Sequence, residues 1–140
     1  LPSTTPVIET TGQDYLENAN ELQDLIFVDM CDAHGGLPCL AQREFHQTLA
    51  RNLSATGMMV LNGIGTTQAE SLQLLLAIRP TFPHVIFSQQ PASQNVVLLC
   101  AQQPLPSITE AKQRAKALFS TLELNFEPVL AGCTALPTPQ

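Results

Sequence analysis

Apolar positions along this chain fall into two patterns, short unbroken runs and stretches spaced at helical intervals. Their alternation predicts an α/β domain. Residues 7–9 read as a short strand. Residues 13–22 carry Tyr15, Leu16, Ala19 and Leu22 at helical spacing. The run over 25–28 has no polar interruption, which suits a strand buried on both faces of a parallel sheet. A loop rich in Gly and Pro follows over 29–38. Leu40, Phe45, Leu49 and Leu53 then form one helical stripe, with Gly57 as the expected stop. A second buried run covers 58–61. Thr67 and Glu70 have the spacing of a capping box, opening a helix with Leu72, Leu75, Leu76 and Ile78 that ends before Pro80. The runs over 84–87 and 95–100 flank a polar segment containing Pro91 and predict an antiparallel hairpin at one edge of the sheet. Ser107 and Glu110 repeat the capping box ahead of a last helix bearing Ile108, Ala111, Ala115, Leu118, Phe119 and Leu122. Residues 1–6 read as a linker or processed N-terminus, 7–127 as one partial α/β domain, and 128–140 as an irregular tail.

Composition narrows what such a domain handles. The chain has 140 residues, enough for one core, and 44% are hydrophobic. Its formal net charge is -6, with only six Lys and Arg. That argues against nucleic acid and anionic membranes, which need basic residues to neutralise phosphates. A small cationic ligand suits the charge. Cys31, Cys39, Cys100 and Cys133 include no C-x-x-C pair. Free thiols in a cytoplasmic protein are the expectation. No apolar run reaches membrane-spanning length, and no basic-then-apolar leader is present. The first residue is Leu rather than Met, as expected of a processed or excised piece.

The candidate chemistry sits in the loop after the 25–28 run. In open α/β sheets, ligands bind beyond the carboxyl ends of the strands. Asp29 and Asp32 stand there, followed by Gly35 and Gly36. Two carboxylates three residues apart can face one cavity, holding a cation or accepting a proton. The same residues also suit turn capping, with Asp32 closing the turn and Asp29 satisfying loop amides. Asp29, Cys31, Asp32, His34 and Cys39 are adequate metal-ligand types, but their spacing matches no metal pattern, and no metal is expected. His46 and His84 read as packing or surface residues.

The stretch running from Asp24 through Asp29-Met30-Cys31-Asp32 and Gly35-Gly36-Leu37-Pro38 to Glu44-Phe45 resembles the spermidine synthase (aminopropyltransferase) family. The apolar run ending at Asn62 and the hairpin after Phe82-Pro83 extend the resemblance over about residues 7–101. It implies a Rossmann-like, class I methyltransferase-type fold, with a mostly parallel sheet truncated to its C-terminal half and an antiparallel C-terminal hairpin. In that family, decarboxylated S-adenosylmethionine donates an aminopropyl group to an amine such as putrescine. By position, Asp29 would take the amine's proton, while Asp32, with Gly35 and Gly36, would line the amine site. The family's Gly-rich nucleotide turn has no counterpart here. Thr11, followed by Gly12, stands where the family has an Asp against adenine, and Met30-Cys31 replace its Ser-Ser. These departures imply that the chain binds no cofactor by itself, although S-adenosylmethionine or its decarboxylated form would be bound by a full-length relative. They also keep open a non-catalytic binding or dimerisation module derived from the same fold. A half-sheet would expose an edge strand, which implies a homodimer through that edge.

Overall fold

The computed structural model describes residues 5–32, 35–36, 38–63, 67–89 and 95–139. The chain begins irregularly: residues 5–9 form no strand, although a strand was expected over 7–9. Helix α1, Gly12–Asn18, is shorter than the periodicity implied. Thr11 caps its start, accepting from the Asp14 amide, and Leu16 is its one buried residue. Strand β1, Gln23–Val28, leads into a small antiparallel pair, β2 (Cys31–Asp32) and β3 (Gly35–Gly36). A 3-10 turn at Pro38–Ala41 opens onto α2, Arg43–Arg51.

Gly57 does not stop α2. The helix ends at Asn52, whose side-chain amide donates to the carbonyls of Leu16 and Thr48 at 2.9 Å each, tying α1 to α2. Gly57 lies inside the long strand β4, Leu53–Gly63. There the β1–β4 register jumps from Gln23↔Leu53 to Leu25↔Met58, so the chain bulges. A Cβ at Gly57 would come within 2.9 Å of the Gln23 carbonyl oxygen, and only Gly tolerates that approach.

Helix α3, Gln68–Ile78, starts with the full Thr67–Glu70 capping box. Its buried side is Leu74, Ala77 and Ile78, which leaves Leu72 and Leu76 exposed. The hairpin forms as expected from β5, His84–Gln89, and β6, Val96–Ala101. Helix α4, Ile108–Leu122, carries the second complete capping box. The tail is not irregular. It forms helix α5, Glu127–Ala131, and strand β7, Cys133–Ala135, which pairs with β5. Arg79 donates to the Pro137 carbonyl and the Leu136 amide to that of Val85, at 2.9 Å in the second case, fastening the tail to the body.

The five-stranded sheet has the order β1-β4-β6-β5-β7. Only β1–β4 is a parallel pair; the β4–β6, β6–β5 and β5–β7 pairs are antiparallel. The expectation of a mostly parallel sheet therefore fails in pairing, though β1, β4 and β5 do run in the same direction. The cause is the hairpin, which does not lie at an edge. Its second strand inserts between β4 and β5, where Val96, Leu98 and Cys100 are buried. One face of the sheet, with Val28, Met59, Leu61, Val85, Leu98 and Cys100, packs into the main core.

The run at 25–28 was expected to be buried on both faces. It forms instead an edge strand with no outer neighbour among the described residues. Phe27 is 71% exposed and Leu25 44%.

Candidate functional site

The parallel register Val28↔Leu61 sets the next residues of both strands, Asp29 and Asn62, side by side. Asn62 Nδ2 donates to Asp29 Oδ1 at 3.0 Å. This bond fixes a carboxylate beyond the carboxyl end of β1, where α/β folds place their ligands. The sequence reading had marked Asn62 only as the end of an apolar run. Its signal was that a polar residue closes β4 one step past the residue paired with Val28.

Other expected site residues gather at the same end. Gly12 opens α1, and a Cβ there would meet Met30 Sδ at 3.6 Å, so the start of α1 adjoins the residue after Asp29. Asp32 and Gly35 pair across the β2–β3 turn, as do Cys31 and Gly36. The Asp32 side chain and His34 lie outside the described residues. Asn62 also lines a cavity of about 340 Å³ between the sheet and α5, together with Ser88, Asn95, Leu99, Leu130 and Cys133. That volume falls in the range of small-molecule sites, roughly 300–1,000 Å³.

Thr11 is engaged elsewhere. Its hydroxyl accepts from the Asp14 amide at 3.1 Å and donates to Asp14 Oδ2 at 2.6 Å. The space at Gly12 is ordinary van der Waals contact rather than a close cradle. Both residues thus serve the start of α1. Nor do three or more His, Cys, Asp or Glu side chains come together as a metal-holding group among the described residues. No disulfide joins the cysteines. No described helix is long and apolar enough to cross a membrane.

His46 and Cys100 are titratable groups of the core, away from this site. His46 is fully buried beside Phe45, and its Nε2 lies 2.7 Å from the Leu40 carbonyl. A carbonyl only accepts, so Nε2 carries the proton and Nδ1 is left bare and buried without a partner. Burial holds the imidazole below its ordinary pKa, and the bond to Leu40 offsets this in part. Burial pushes the Cys100 thiol up to about 12, which makes it inert as a nucleophile.

The charges are unevenly placed. Residues 1–42 hold seven of the twelve acidic residues (Glu9, Asp14, Glu17, Glu21, Asp24, Asp29 and Asp32) and none of the six basic ones. That acidic stretch of sequence carries α1, β1 and the Asp29 loop, and Arg51 of α2 stands beside it, next to Asn52, which bonds Leu16 and the Gln23 amide.

No protein-family profile matches the chain, and no curated protein matches its sequence. Among solved structures, the fold is similar to that of human methyltransferase-like protein 13 in complex with SAH, at a TM-score of 0.71 and 23% identity. The match covers 82% of this chain and 58% of the other, so this chain spans a little over half of the length of that solved chain. The chain has an α/β fold with a five-stranded mixed sheet, similar to a methyltransferase fold.

Proposed function

We propose that the chain is the acceptor side of a Rossmann-like, class I methyltransferase-type transferase acting on an amine, of the aminopropyltransferase kind, with putrescine as the model acceptor. The observation that carries this reading is the Asp29–Asn62 bond at the carboxyl end of β1 and β4. A carboxylate fixed there does two things for an amine. It binds the ammonium form by a charge-assisted hydrogen bond. It then accepts the proton that must leave nitrogen before the lone pair can attack. Asp29 is the proton acceptor, and Asp32, with Gly35 and Gly36, belongs to the amine site. The cavity rimmed by Asn62 has apolar walls at Leu99 and Leu130 that suit the aliphatic body of such a ligand.

The donor of the complete transferase is S-adenosylmethionine or its decarboxylated form, while the Thr11 hydroxyl of this chain is committed to its helix cap. The similarity to a protein solved with SAH supports a donor of this class in the complete transferase. That same commitment of Thr11 favours a second reading, in which the fold persists as a binding module without catalysis. Calorimetry with putrescine and with methylthioadenosine separates the readings. The amine reading expects heat with putrescine that disappears in Asp29→Asn. Absence of putrescine binding in the native chain would sink it.

A further inference from the structure

Strand register places four residues in one row across the sheet. Asn62 of β4 opposes Val97 of β6, Val97 opposes Ser88 of β5, and Ser88 opposes Cys133 of β7. Side chains paired in this way share a face, and all four line the cavity of about 340 Å³ between the sheet and α5. Neighbouring strands lie about 4.8 Å apart, so Ser88 stands about 10 Å along the row from Asn62. The two ends of the row differ in charge. At the Asn62 end is the Asp29 carboxylate, held at 3.0 Å. Beyond Asn62 the walls are neutral. The segments that build the cavity, 52–69, 85–109 and 128–140, contain no Asp, Glu, Lys, Arg or His. Ser88 is 6% exposed, and its hydroxyl has no hydrogen-bond partner among the described residues. A desolvated hydroxyl without a partner is costly, and one that opens on a cavity is a place for a ligand's polar atom.

We propose that the cavity takes the uncharged end of the acceptor, so that the ligand is a monoamine with a hydroxyl or carbonyl oxygen at the far end of an aliphatic chain. The inference rests on the amine reading and narrows it. The ammonium meets Asp29 beside Asn62, the methylene chain lies against Val97, Leu99 and Leu130, and the far oxygen pairs with the Ser88 hydroxyl, which can donate or accept. A diamine would present a second ammonium to the same walls. Burying a cation without a counter-charge costs far more than burying a hydroxyl that finds a hydrogen bond. Putrescine therefore binds through Asp29 with its second ammonium left in water, and it is not the best ligand of the site.

Calorimetric titration of the native chain with three amines of one chain length tests this: ω-aminopentanol, pentylamine and cadaverine. The amino alcohol is expected to bind most tightly. Pentylamine should be about 2- to 12-fold weaker, for want of one hydrogen bond. Cadaverine should be at least about tenfold weaker than the amino alcohol. In Ser88→Ala the amino alcohol should fall to the level of pentylamine, whose own affinity stays as it was. Val129→Asp changes a wall position that is 52% exposed and should leave the thermal melt in place. Its new carboxylate is expected to reverse the order in favour of cadaverine. Cadaverine binding the native chain as tightly as the amino alcohol, or an advantage of the amino alcohol that survives Ser88→Ala, overturns the proposal and leaves the amine reading standing. Binding of none of the three overturns both.

Discussion

Asn62 and His46 show how single side chains set behaviour in this fold. Asn62 holds Asp29 by one hydrogen bond to a charged acceptor. At this exposed position such a bond contributes about 0.5–1.5 kcal/mol, roughly 2- to 12-fold in an equilibrium. Asn62→Ala is expected to weaken putrescine binding by about 2- to 12-fold without abolishing it, because the carboxylate remains but loses its fixed direction. Calorimetric titration of the variant checks this. His46 governs pH dependence. Its folded pKa lies below the unfolded value of about 6.5, so the unfolded chain binds more protons below that pH. The contribution of neutral His46 to stability is therefore complete above about pH 6.5 and declines as pH falls below it. Urea midpoints should decrease between pH 7.5 and 5.5. In His46→Gln, whose amide still donates toward the Leu40 carbonyl, that dependence should flatten.

Helices α1, α3 and α4 owe their starts to side-chain caps. Both capping boxes are complete, and the carboxyls of Glu70 and Glu110 are held below their ordinary pKa by hydrogen bonds from Thr67 and Ser107. Those starts were legible because a capping box is contained in four consecutive residues. The end of α4 was less so: Glu123 sits there in the left-handed region at φ 55°, a conformation that favours glycine. Glu123→Gly is expected to raise stability by about 1 kcal/mol, read as a higher denaturation midpoint at unchanged slope. Strands β1, β4, β5 and β6 were legible from the apolar runs at their centres, and the β5–β6 hairpin from its turn. The run at 7–9 forms no strand, however, β4 starts at Leu53, which was read as helical, and β7 lies in the tail expected to be irregular. Neighbour order was not. Apolar runs at 25–28 and 95–100 look alike in sequence, yet one lies open at the edge and the other is buried in the middle. The difference arises from which strands come to flank each run. The same limit applied to the site. Asp29 was found from its place after a run, whereas Asn62 required the β1–β4 register.

Across the whole molecule, the last residues complete the sheet. Strand β7 covers the outer side of β5, opposing Thr134 to Phe87 and Ala135 to Ile86. Thr134→Pro, which removes a backbone donor from that short ladder, is expected to lower the unfolding midpoint and increase light scattering on heating, as the β5 edge becomes available. A comparison of melts with turbidity traces checks both. The position of β6 has a further consequence, for the order in which the chain can fold. Strand β4 is synthesised by residue 63, but its partner on the inner side begins only at Val96. Until then β4 can pair only with β1, and β5 has no β4 to lie against, because the place between them belongs to a strand not yet made. A nascent chain that stops before Val96 thus carries β4 without its inner partner. Assembly has to await the hairpin, which forms locally from β5 and β6 and then closes onto β4 as a unit.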